Sequence, residues 1–168
     1  MDRQKVLDFL VERNLVNTII ITGDNHNNWV RNVPPVYLRL DAEPVATEFI
    51  GTSVSTGGDR TINTTYGGDV NNPHFRFFDN HHGYVRCKLT PELWTTDFRI
   101  VPTVLSPDAP VSTLASFVVE QGRAGAQLNS SVELARNLGA GVIPPVRPAG
   151  HNSRALPHRV VKWHIYFP

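Results

Sequence analysis

Thr18–Ile21 is a short run of β-branched residues, and it stops abruptly at Gly23-Asp24-Asn25-His26. A continuous apolar run of this length is the pattern of a strand buried on both faces. In open α/β sheets, ligand sites form just beyond the carboxyl ends of such strands. Here that position holds a carboxylate and an imidazole with one residue between them. On an extended segment, side chains at i and i+2 point the same way, so Asp24 and His26 are expected to share one small volume. Gly23, without a Cβ, permits the sharp exit from the strand. The pattern nominates Asp24 and His26 as two ligands of a metal centre. The alternative is a strand-end turn in which Asp and Asn cap backbone groups.

The totals narrow the setting. A chain of 168 residues with 40% hydrophobic content is long enough for one domain with its own core. Net charge is +1, from 16 basic and 15 acidic residues, so electrostatics nominates neither a nucleic acid nor a membrane surface as partner. The single cysteine, Cys87, excludes an intrachain disulfide and a Cys-rich zinc site. No stretch is long and apolar enough to span a bilayer, and no signal peptide is visible at the start.

Asp2–Asn14 reads as an amphipathic helix, with Val6, Leu7, Leu10 and Val11 on one face and Asn14 as its stop. It feeds Thr18–Ile21, giving an α-then-β unit that needs partner strands from elsewhere. Residues 29–40 read as a connection through Pro34-Pro35 with a strand at Val36–Leu40, followed by a strand at Pro44–Ile50. Residues 51–73, rich in Gly, Ser, Thr and Asn, read as one long loop. His74–Asp79, Gly83–Thr90 and Trp94–Val101 read as an antiparallel meander. In the last of these, Trp94, Thr96, Phe98 and Ile100 alternate with polar residues and should face a core. Ser116–Glu120 is a further strand candidate. Residues 126–168 carry Pro144-Pro145, Pro148 and Pro157 and are expected to be a poorly ordered tail, with Val160–Phe167 a strand or a docking segment.

Four other features have local readings. Asn25, Asn27 and Asn28 are expected to form turns, and Trp29 to pack under the site loop. His81-His82 reads as an exposed turn, because neighbouring strand residues face opposite ways and do not chelate together. Gly51–Gly58 lacks the Lys and spacing of a phosphate-binding P-loop and reads as a loop near the rim of the site. Arg147, Arg154, Arg159 and Lys162 read as solvated tail charges, without the interleaved aromatic residues of a nucleic-acid platform.

Four blocks, in order, resemble the C-terminal part of the catalytic domain of the alkaline phosphatase D (PhoD-like) metallophosphoesterases. They are RQKVLDFLVERNLVNTIIITGDNHNNW, PVATEFIGTSVSTGGD, NPHFRFFDNHHGYVRCKLTPELWTTDFRIV and VSTLASFVVEQGRAG, together spanning about residues 3–125. The resemblance implies an α/β fold: the C-terminal part of an α/β/β/α sandwich, here one N-terminal helix plus a largely antiparallel sheet. It divides the chain into a PhoD-like part, residues 1–125, and the tail, residues 126–168. It implies a metal-dependent phosphoric ester hydrolase acting on a phosphate mono- or diester. In that family an iron is paired with calcium, so the implied cofactors are Ca²⁺ and Fe³⁺. The Gly-Asp-x-His block supplies one ligand to each metal, here Asp24 and His26. The family's earlier ligand-bearing blocks have no counterpart in this sequence, and Cys87 does not lie in the context of the family's metal-binding Cys. Two ligands fall short of a full set. The expectation is therefore a partial catalytic domain, inactive alone: either a truncated gene product, or one part of a longer or split chain in which an upstream chain supplies the missing half of the site. The alternative is a catalytically inactive β-rich fragment with a structural or interaction role. The family is typically secreted or periplasmic.

Overall fold

The computed structural model describes residues 3–36, 39, 41–56, 65–66, 72–129 and 164–166. Helix α1, Arg3–Glu12, buries Leu7 and Leu10. It ends where expected. Asn14 adopts a left-handed φ of 51°, the Asn14 amide donates to the Val11 carbonyl, and the Leu15 amide donates to the Leu10 carbonyl at 2.9 Å. This paired closure satisfies the last carbonyls of the helix and turns the chain into the sheet.

Among the described residues ten strands follow: β1 Thr18–Thr22, β2 Asn28–Val33, β3 Ala46–Ile50, β4 Thr65–Tyr66, β5 Phe75–Asp79, β6 Gly83–Leu89, β7 Leu93–Ile100, β8 Ser112–Glu120, β9 Gln127–Leu128 and β10 His164–Tyr166. They form a six-stranded sheet in the order β10-β1-β3-β2-β5-β4 and a four-stranded sheet in the order β6-β7-β8-β9. In the first, β1 is parallel to both β3 and β10, whereas β2 runs antiparallel to β3 and β5. The second is antiparallel throughout.

The largest difference from the sequence reading lies at β2. Residues 29–33 were expected in a connection, with a strand at Val36–Leu40; the strand is Asn28–Val33 instead, and Val36 and Arg39 lie outside any strand. NWVRNV carries three polar residues and its burial breaks step at Arg31-Asn32, beside an irregularity in the pairing with β5, so no clean period-two pattern marks it as a strand. The loop expected over residues 51–73 contains the short strand β4, which pairs with β5. Ser116–Glu120 lengthens at its start to Ser112, and part of the expected tail, His164–Tyr166, forms a parallel edge strand beside β1. Residues 130–163 of that tail lie outside the described residues, as do the four basic residues named above. Among the described residues, no helix is long and apolar enough to cross a membrane.

The two sheets pack face to face. Ile19, Val30, Phe49 and Phe77 of the first meet Trp94, Phe98, Ala115, Phe117 and Val119 of the second. Ring centroids of Phe77 lie 5.0 Å from Phe98 and 5.5 Å from Phe117, the spacing of tilted aromatic pairs. The opposite face of the first sheet receives α1, where Leu7 and Leu10 pack with Val33 and Ala46. On that face Trp29 contacts Phe78 at 4.5 Å and Phe75 at 5.5 Å between centroids. The Arg31 guanidinium lies 4.8 Å above the Trp29 ring and 3.6 Å from Glu48. A groove of about 460 Å³ runs between α1 and this face, and neither Asp24 nor His26 lines it.

Candidate metal centre

The strand order brings three chain segments to one edge of the first sheet. Thr22 is in register with Ile50, Trp29 with Ile50, and Asn28 with Asp79. The ends of β1, β3 and β5 and the start of β2 therefore meet, as parallel-sheet ligand sites require. The Gly51 amide donates to the Thr22 carbonyl at 2.9 Å and continues the β1–β3 pairing to the last residue before the loop.

Asp24 and His26 sit on the β1–β2 loop, and both are exposed. The extended geometry expected for them is not what the chain adopts. Asp24 has φ 67° and His26 has φ 56°, and the Asn25 amide folds back onto the Gly23 carbonyl at 2.8 Å. The pair is presented by a tight turn, so strand alternation does not govern it. Asp and His are among the few non-glycine residues that enter the left-handed region at all. Two such residues in one five-residue loop mark a segment whose geometry is imposed by its surroundings.

Those surroundings form a hydrogen-bonded network. Asp79, at the end of β5, is completely buried. One of its oxygens accepts from the Asn28 Nδ2 at 3.0 Å and from the His81 amide at 3.0 Å. The other lies 2.7 Å from His81 Nδ1, which donates to it. A buried carboxylate is tolerable only when so satisfied. Asn28, itself 1% exposed, also donates Nδ2 to the His81 carbonyl at 3.2 Å, and its Oδ1 accepts the Thr52 amide at 3.2 Å. The Thr52 hydroxyl donates to the His26 carbonyl at 3.1 Å. Next to it, His82 Nε2 and Thr56 Oγ1 are 3.1 Å apart, and the Thr56 amide donates to Ser53 Oγ.

Two sequence readings change here. The His81-His82 pair is not an exposed turn: His82 is 4% exposed and the His81 ring is held by Asp79. The two residues lie between β5 and β6, outside any strand, so strand alternation does not govern them; the His81 ring pairs with Asp79 and the His82 ring with Thr56. Asn28 is likewise a buried bridge and not a turn former. A signal for this was present: Asp79-Asn80-His81 repeats the Asp-Asn-His pattern of residues 24–26.

The donor set suits a metal. The Asp24 carboxylate is a hard oxygen ligand and the His26 imidazole a borderline nitrogen ligand. In the residues flanking them in sequence, the buried oxygens Thr22 Oγ1 and Asn27 Oδ1 have no hydrogen-bond partner among the described residues. No group of three or more His, Cys, Asp or Glu side chains among the described residues could close around a metal by itself.

The comparisons with known proteins bear on the same segment. The family model of the PhoD-like phosphatases matches residues 1–98, which contain the whole network. Alkaline phosphatase D of Bacillus subtilis (strain 168) is 35% identical over 134 residues, 79% of this chain and 23% of that protein. A solved structure of PhoD superposes with a TM-score of 0.67 at 34% identity, covering 83% of this chain and 26% of that one. The chain thus spans about a quarter of the length of these relatives. On the strength of sequence and fold together, this chain belongs to the PhoD-like phosphatase family.

Proposed function

We propose that this chain carries one part of the metal centre of a phosphoric ester hydrolase, with Asp24 and His26 as ligands. The observation that supports this best is the placement of both residues on one strained, exposed turn at the carboxyl edge of the sheet, within the span that the family model matches. Asp24 would give its carboxylate to a hard cation, in keeping with Ca²⁺, and His26 its imidazole to a transition metal, in keeping with Fe³⁺. Metals bound there supply Lewis-acid polarisation of a phosphate mono- or diester and activation of a water. The protein's own part is to present both ligands on one loop tied to a buried hydrogen-bonded network.

Two ligands are fewer than a metal uses, so the remainder come from residues other than these. The isolated chain is accordingly expected to hydrolyse little or no p-nitrophenyl phosphate or bis-p-nitrophenyl phosphate with Ca²⁺ and iron supplied. In an enzyme in which this segment is joined to the rest of its site, Asp24→Asn and His26→Ala are expected to lower bound metal and turnover together. Elemental analysis alongside the rate checks this. Variants that keep both metal and rate would remove Asp24 and His26 from the centre.

A further inference from the structure

We propose that Thr52, Asn28 and Asp79 are positioning residues for His26. The proposal rests on the reading of His26 as a ligand, and it answers a question that reading leaves open: what holds a left-handed histidine still on an exposed turn. A non-glycine residue at φ 56° is strained, and it stays there only where neighbouring bonds over-determine it.

The bonds run outward from the most buried point. Asp79 has no exposed surface, and its two oxygens accept from Asn28 Nδ2, the His81 amide and His81 Nδ1. That fixes the carboxylate. Because Asn28 must turn its Nδ2 toward Asp79, its Oδ1 can only face the other way, where it takes the Thr52 amide. The Thr52 backbone is thereby set, and its hydroxyl is left to donate to the His26 carbonyl. Three links thus carry the rigidity of a buried carboxylate to the backbone of an exposed ligand. This is how ligands of metal sites are commonly oriented from behind, although here the support reaches the carbonyl and not the ring.

The test uses the isotopically labelled 168-residue chain, with Mn²⁺ as the probe. Thr52→Val removes the hydroxyl but keeps the side-chain shape and the amide bonded by Asn28; Thr52→Ser keeps the hydroxyl. A left-handed residue shows a strong contact between its own amide and α protons in NMR, which reads the His26 conformation with no metal present. In Thr52→Val this signature is expected to vanish at His26, and broadening of residues 23–27 is expected to need about tenfold more Mn²⁺. Thr52→Ser should retain both, and Thr52→Val should melt as the parent does. Asn28→Ala is expected to act similarly, but it also strips a donor from Asp79, so Thr52→Val carries the decision. Should Thr52→Val keep the left-handed signature, the positioning role is overturned. If Mn²⁺ leaves residues 23–27 of the parent untouched, two ligands do not hold a cation without the rest of their set, and the conformational signature alone decides whether Thr52 holds the turn.

Discussion

Gly83 shows how one residue's missing side chain can fix a junction. It opens β6 at φ 158°, and a Cβ there would run into the Arg99 carbonyl oxygen and lie 2.8 Å from Ile100 Cα. Gly83→Ala is therefore expected to destabilise the chain by at least about 2 kcal/mol, measured by urea unfolding. Asp97 is a second case. Burial by itself would raise its pKa, but hydrogen bonds from Arg86 and Ser116 and the nearby guanidinium charges outweigh that and hold the carboxyl below its ordinary value. Arg86 donates through Nε at 3.0 Å and Nη2 at 2.7 Å, and Ser116 Oγ donates at 2.7 Å. A lowered folded pKa means that the stabilisation is complete above the unfolded value, about pH 4, and is lost as pH falls through the folded one. Thermal midpoints measured downward from pH 5 should drop more steeply for the parent than for Asp97→Asn.

At the scale of elements, β7 is the strand on which sequence and structure agree most closely. Its burial alternates along all eight residues, with Trp94, Thr96, Phe98 and Ile100 inward as the period-two pattern required. Phe98 is fully buried and meets both Phe77 and Phe117. Phe98→Ala should cost about 3–5 kcal/mol in chemical denaturation, because the rings from two sheets cannot collapse into the space. β6 is the contrast: Cys87 and Leu89 alternate on paper, yet both are exposed at the end of the sheet. Alternation says which residues share a face, and only the partner sheet determines whether that face is covered.

At the scale of the whole molecule, the two sheets are joined by more than aromatic packing. The turn between β8 and β9 is fastened to the first sheet through side chains. The Gly122 amide donates to Asn17 Oδ1 at 2.7 Å, the Gly125 amide to Thr47 Oγ1 at 3.0 Å, and the Ala126 amide to Asn32 Oδ1 at 2.8 Å. Thr47 is completely buried, so Thr47→Val, nearly the same shape, would leave the Gly125 N–H without its acceptor. The expected cost is about 1–3 kcal/mol. Far- and near-ultraviolet dichroism should still report one coincident transition, since both sheets share one core.

The sequence by itself determined the helix and its stop at Asn14, the strand ahead of Asp24, the β6–β7 hairpin, and the Asp24/His26 candidate with its family. These rest on local periodicity, on turn chemistry and on a contiguous motif, all of which can be read within a few residues. The meander expected over His74–Asp79, Gly83–Thr90 and Trp94–Val101 holds only for its last two strands, because β5 joins the first sheet between β2 and β4. Tertiary structure alone decided that polar NWVRNV is a strand in the middle of a sheet, that β10 returns to pair with β1, and that Asp24 and His26 leave the extended conformation. It alone drew His81 and Asn28, read as turn residues, into a network around the buried carboxylate of Asp79. The physical reason is common to all of these: a polar side chain goes inside only when its partner is already there. Asn28 finds Asp79 and Thr52 from 51 and 24 residues away, a distance at which no local pattern carries information.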